Sequence, residues 1–200
     1  MPFKKTAILL SGGMDSLALA YWKKPSIAFT IDYGQVAVAS EVKAARYQAT
    51  ILNMEHLIIR VDCSSLGSGL LSSNGIIDIA PSPEWWPFRN QLLITLASMK
   101  ALQLGIDEIL VGSVKEDSQY VDGRKDFYER LNEVVNMQEG HLNISTPSID
   151  MTTEELIKVS GIKPSLLLAA HSCSISDVPC QKCPSCLKHE RILGHLGLID

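Results

Sequence analysis

With 200 residues, 46% of them hydrophobic and 20% charged, the chain has an ordinary globular composition and length enough for one proper core. Its 18 Lys and Arg against 22 Asp and Glu leave a net charge of −4, which excludes a broad polyanion-binding face and makes nucleic acid a poor main ligand. Lys4 and Lys5 precede no apolar run long enough for a signal peptide or membrane span, so the expectation is a cytoplasmic protein with reduced thiols and no membrane partner.

The first apolar run, residues 6–10, reads as a buried strand. It ends in Ser11-Gly12-Gly13-Met14-Asp15-Ser16, a polar, glycine-rich turn before a helix expected over 16–22. Such a junction points backbone N–H groups outward at the positive end of a helix and makes an anion site. Gly12 and Gly13 let the backbone approach a phosphate closely. Ser11 and Ser16 offer hydroxyl donors, and Asp15 can cap the helix or help hold a magnesium ion. The motif G-x-x-x-x-G-K-S/T is absent, so this is not a P-loop of the kinase and GTPase type. Leu10, Ser11, Gly12, Gly13, Met14, Asp15 and Ser16 are therefore the candidate nucleotide contacts.

Further strands are expected over 26–31, 56–61 and 108–111, and further helices over 39–52, 90–104, 126–135 and 153–159. Strands apolar throughout and separated by helices imply an α/β fold, a Rossmann-like, doubly wound parallel sheet covered on both faces. Ligands in such folds bind at the carboxyl ends of the strands. That edge would gather the 11–16 turn, Asp32-Tyr33-Gly34-Gln35 after the second strand and Gly112-Ser113 after the fourth, which adds Tyr33, Gln35 and Gly112 to the candidate contacts. Residues 62–88 are too long for a plain linker and read as a lid or binding loop. Within them, Trp85-Trp86 fit packing into the core slightly better than stacking on a heterocycle.

Four of the five cysteines fall within fourteen residues, as Cys173-x6-Cys180-x2-Cys183-x2-Cys186. Thiolates at this spacing close a tetrahedral shell around zinc, making a structural site rather than a catalytic one; an iron–sulfur cluster is the competitor. Residues 171–190 are thus expected to form a zinc-binding segment of a single 1–200 domain, with His171 and His189 flanking the ligands. Cys63 reads as packing.

Ser-Gly-Gly-Met-Asp-Ser resembles the pyrophosphate loop of the N-type ATP pyrophosphatases. Together with Tyr33-Gly34-Gln35, Arg89-Asn90, Gly112, Asp122-Gly123-Arg124, Pro147, Asp150 and the cysteine cluster, it is similar to the 7-cyano-7-deazaguanine synthase family of queuosine biosynthesis. The resemblance implies an adenine nucleotide alpha hydrolase-like fold, with ATP, Mg²⁺ and Zn²⁺ as cofactors and a homodimeric state. It implies an ATP-dependent carbon–nitrogen ligase that adenylates 7-carboxy-7-deazaguanine, releases pyrophosphate, and uses ammonia to make the amide and then the nitrile. Asp15 and Ser16 would serve the phosphates, and Arg89 or Arg124 would clamp a carboxylate or phosphate. The chain departs from the family at Val36-Ala37, Phe88 and Gly123, and at Thr152-Thr153 where a Lys is usual; Lys158 or Lys163 could stand in for that Lys. Transfer of the activated carboxylate to another amine, such as a protein terminus, and a catalytically inactive nucleotide-binding module are the alternatives.

Overall fold

The computed structural model describes residues 4–199. Five parallel strands form one sheet: β1 (Thr6–Leu9), β2 (Ile27–Asp32), β3 (Glu55–Arg60), β4 (Glu108–Leu110) and β5 (Asn143–Ser145). Their order is β3-β2-β1-β4-β5, so the winding reverses between β1 and β4 and opens a crevice at their carboxyl ends. This is the Rossmann-like α/β arrangement that the alternating apolar pattern implies.

Alternation along β1 shows why both faces are covered. Ala7 packs with Phe29 and Ile109 against Ile94, Ala97 and Ala101 of α3 (Arg89–Gln103), and with Tyr128 and Leu131 of α4 (Lys125–Asn136). Ile8 turns the other way, toward Leu19 of α1 (Met14–Lys23) and Ala45 and Ala49 of α2 (Val38–Ile51). Outside α1 lies a second apolar layer. Met14, Leu17 and Ala18 pack with Leu156 and Ile157 of α5 (Thr153–Ser160), Leu167 of the short α6 (Pro164–Leu167), and Ile192 and Leu193 of α7 (Pro184–His195). The C-terminal helix therefore buries its apolar stripe against the same α1 that follows the glycine-rich turn.

The four expected strands and five expected helices lie within one or two residues of β1–β4 and α1–α5. The loop over 62–88 is held down by buried Cys63, Leu71 and Trp86. The Trp86 and Tyr33 rings meet edge to face, with centroids 4.9 Å apart at 85°, so Trp86 is a packing residue. Among the described residues no helix is long and apolar enough to cross a membrane.

Candidate active site

A cleft of about 480 Å³ opens over the carboxyl ends of β1, β2 and β4. Its floor includes Leu10, Thr30, Val111 and Gly112, and one wall is the turn that starts α1. Gly13 is the N-cap of that helix and supplies no capping side chain. The first intrahelical bond runs from the Leu17 amide to the Gly13 carbonyl at 3.2 Å, so the Met14, Asp15 and Ser16 amides have no helical acceptor. An uncapped N-terminus facing a cleft is an anion site made of backbone. The helix starts at Met14 rather than near Ser16, which moves Asp15 inside the first turn and removes it as the cap.

The turn is held rigid from three sides. Gly12 sits at φ +86°, where a Cβ would lie 2.7 Å from the Glu41 carbonyl oxygen. Its own carbonyl accepts from Gln48 Nε2 at 2.6 Å and from the His171 amide at 2.9 Å. Ser16 Oγ donates to the Gly13 carbonyl at 3.1 Å and lies 3.2 Å from Ser11 Oγ, leaving both hydroxyls at the cleft. Gly112 brings β4 against the turn, since a Cβ there would lie 3.0 Å from Ser16 Cα.

The opposite wall carries the charge. Arg89, the first residue of α3, lines the cleft beside Tyr33, Glu41 and Asp117, and none of these carboxylates pairs with it within 4 Å. Burial pushes the Tyr33 hydroxyl up, against the pull of Arg89, and pushes the Glu41 carboxyl up, against the Gln35 donor and Arg89. Burial also raises Asp117, with the Asp15 charge adding to it against the Val114 amide. Gln35 is spent on scaffolding: its Oε1 accepts the Tyr33 amide at 3.0 Å, and its Nε2 donates to Glu41 at 2.7 Å and to the Ile31 carbonyl at 3.1 Å. Asn90 fixes the start of α3 by donating from its side-chain amide to the Asp122 carbonyl at 2.8 Å. Arg124 stands apart from this group, exposed, with its Nε donating to the Ser118 carbonyl at 3.1 Å. It does not line the cleft, because it caps α4 with its side chain turned along the 113–125 loop.

Phe88 caps α3 at φ +54° and is 75% exposed. A left-handed backbone costs a β-carbon residue about 1 kcal/mol, and this ring recovers little of that through burial. Phe88→Gly should therefore raise stability by about 1 kcal/mol in thermal unfolding, leaving the start of α3 in place. A lower melting temperature would show that the ring holds contacts worth more than the strain.

The C-terminal segment closes the cleft. His171, Ser172, Lys188 and His189 line it, with Ser172 Oγ 2.7 Å from His189 Nδ1 and Lys188 Nζ 3.1 Å from Asp15 Oδ2. Both histidines are half-buried at the cleft and stand outside the four-cysteine group that could hold a metal ion. Burial, then the neighbouring His171, lowers His189. Asp15 Oδ1 and Glu116 Oε2 are buried without hydrogen-bond partners, and both residues line the cleft. Lys158 and Lys163, the expected stand-ins, are exposed on the far side of α5 and at the start of α6, and neither lines the cleft. Thr152 caps α5, accepting from the Glu155 amide at 3.2 Å, and Thr153 is fully buried, so no cation enters from that segment.

Below these residues the sulfur atoms of Cys173, Cys180, Cys183 and Cys186 all lie within 4.8 Å of one another. Cys180 and Cys186 Sγ are 3.9 Å apart, close to the roughly 3.8 Å edge of a tetrahedron with zinc–sulfur bonds of about 2.3 Å. The Cys183 amide donates to Cys180 Sγ at 3.3 Å and the Cys186 amide to Cys183 Sγ at 3.4 Å, as thiolate ligands on a tight turn require. The Lys182 amide, helped by that of Cys183, brings the Cys180 thiol down to about 6, while burial pushes Cys186 up to about 12.

The family model described as "Queuosine biosynthesis protein QueC" matches residues 5–197. The chain is 30% identical over 215 residues to the 7-cyano-7-deazaguanine synthase of Chlorobaculum parvum, covering 98% of this chain and 94% of that protein. It is 31% identical over 212 residues to the enzyme of the same name from Porphyromonas gingivalis, covering 98% and 96%. Among solved structures, the NMN synthetase of Francisella tularensis superposes with a TM-score of 0.50 at 16% identity, over 98% of this chain and 78% of that one, a likeness of fold alone. A match running from β1 to the end of α7, with relatives alike over nearly their whole length, reaches far beyond one shared loop: the chain belongs to the QueC family of queuosine biosynthesis proteins.

Proposed function

We infer that this enzyme is an ATP-dependent ligase that turns 7-carboxy-7-deazaguanine into 7-cyano-7-deazaguanine. The observation that carries the reading is Arg89, a cleft-lining guanidinium with no carboxylate within 4 Å among the described residues, placed in the same cleft as the uncapped amides of α1. One end of that cleft suits a polyphosphate, and the other suits a planar carboxylate held bidentately.

A carboxylate is a poor electrophile because its leaving group would be oxide or hydroxide. In the proposed reaction its oxygen attacks the α-phosphorus of ATP, the bond to the bridging oxygen of the β-phosphate breaks, and pyrophosphate leaves. Ammonia then attacks the acyl carbon, AMP departs with the C–O bond pair, and a proton is lost to give the amide. The amide oxygen repeats the attack on a second ATP, a second pyrophosphate leaves, and loss of both protons from nitrogen with departure of AMP gives the nitrile. The Met14–Ser16 amides and the Ser11 and Ser16 hydroxyls bind the departing pyrophosphate, and Arg89 orients the acceptor. Magnesium, when bound, offsets charge on the leaving group, and the unpartnered Asp15 Oδ1 and Glu116 Oε2 are the oxygens that would hold it or its waters. The four sulfurs would hold zinc, whose chemistry here is to fix the C-terminal segment.

The test is mass spectrometry of the products formed from ATP, magnesium, 7-carboxy-7-deazaguanine and ammonium. The nitrile, with two AMP per molecule, is expected. Accumulation of adenylate or amide would redirect the search toward another amine acceptor, and no AMP would sink the reading. Arg89→Ala should raise the KM for the deazaguanine carboxylate roughly 10- to 100-fold while changing the KM for ATP much less. Equal changes in both would remove Arg89 from the acceptor side.

A further inference from the structure

The cleft has a shortage of positive charge. Five of its lining residues are Asp15, Glu41, Glu84, Glu116 and Asp117, and against them only Arg89 and Lys188 among the lining residues are Lys or Arg. A triphosphate adds several more negative charges, and the partial charge of one helix terminus does not balance them. Arg89 lies on the β2 and α3 side, among Tyr33, Asp117 and Asp122. Lys188 lies on the phosphate side, its Nζ 3.1 Å from Asp15 Oδ2 inside the first turn of α1.

We propose that Lys188 is the residue that contacts the β- and γ-phosphates of ATP, and that the four-cysteine site places it there. This rests on the ATP reading above. Its side chain is 26% exposed and that of Asp15 is 24% exposed, so their ion pair is neither deep nor strong and is readily exchanged for a phosphate. A lysine ammonium on a rotatable stem suits that role, acting as a point charge where Arg89 acts as a planar fork. The placement follows from the chain. Lys188 is two residues beyond Cys186, in a helix whose N-cap is Cys183 and whose first residue is Pro184. Ile192 and Leu193 pin the following turn against Met14 and Leu17. The metal ligands and the apolar stripe together leave Lys188 facing the loop.

The experiment measures binding of α,β-methylene-ATP and of AMP, each with magnesium, to the metal-loaded wild type, K188Q and K188R. K188Q should lose roughly ten- to a hundredfold in affinity for the triphosphate and no more than about twofold for AMP, and K188R should keep most of the preference. A residue that only supports the fold would weaken both nucleotides alike, so equal losses, or none, would overturn the proposal. In the wild type, saturating α,β-methylene-ATP should protect Lys188 from acetylation, read by peptide mass spectrometry, while AMP should not. That readout needs no variant to fold, and absence of protection would also overturn the proposal. Wild type that binds neither nucleotide would instead overturn the ATP reading, and this inference with it.

Discussion

Gly12→Ala is expected to lower nucleotide-dependent turnover by roughly 10²–10³-fold and stability by about 2–4 kcal/mol. Two separate costs meet at this position. Its φ of +86° is a conformation that L side chains rarely adopt, and the added methyl would sit 2.7 Å from a backbone carbonyl oxygen of α2, which cannot swing aside. Relief requires the turn to move, and the turn is what aims the Met14–Ser16 amides. Moving it also strains the bonds from Gln48 and His171 to the Gly12 carbonyl. Gly161→Ala separates the two costs. Gly161 has φ +66° at the end of α5, and a methyl added there would meet nothing within 4 Å, so only the conformational cost of about 1 kcal/mol remains and turnover should be unchanged. Pyrophosphate release and thermal unfolding of both variants read the comparison. Full activity in Gly12→Ala would mean that the loop tolerates displacement and does not hold the leaving group.

The strands β1, β2 and β4 are legible in the sequence because each is apolar enough to be buried by the helices on both faces, a pattern a polar loop cannot imitate. β3, an edge strand with no fully buried residue, is legible through its Leu57-Ile58-Ile59 run. β5 is not, because Asn143-Ile144-Ser145 is a three-residue edge strand with one inward side chain. The last helix is hidden for a different reason. Its first residues also belong to the four-cysteine cluster, so Cys183 is at once a member of that cluster and the N-cap, and the cysteine spacing masks the helical one. At the site, the glycine-rich turn declares itself through residue type alone. Glu41, Asp117 and Lys188 do not, since an acid or lysine on a helix or polar loop reads as a solvated face until the fold buries it. Lys188 meets Asp15 across a separation of 173 residues, which no local pattern records. Arg124 enters the expected site only through the resemblance of its tripeptide; here the neighbouring Gly123 packs so tightly against Asp117 that the Arg side chain runs along the outside of the loop.

Cys183→Ser is expected to lose its metal, to cost at least about 3 kcal/mol and so to melt roughly 6–12 °C lower than the wild type. The substitution is selective, because a serine hydroxyl still accepts the Cys186 amide that Cys183 Sγ accepts at 3.4 Å, so the cap of α7 survives while the ligand does not. The loss reaches the cleft by two routes. One is the amide of His171, two residues before Cys173, on the Gly12 carbonyl; the other is Lys188, two residues after Cys186, on Asp15. Nucleotide affinity should therefore fall together with metal content, although the proposed reaction gives no cysteine a chemical role. A chelator strong enough to strip the wild type should bring its melting temperature to that of the variant and leave the variant unchanged. The metal released can be identified by elemental analysis, with visible absorption of the holoprotein marking an iron–sulfur cluster instead of zinc. A metal-free variant with wild-type melting temperature and pyrophosphate release would show that the four sulfurs neither fold the C-terminal segment nor position the residues that close the cleft.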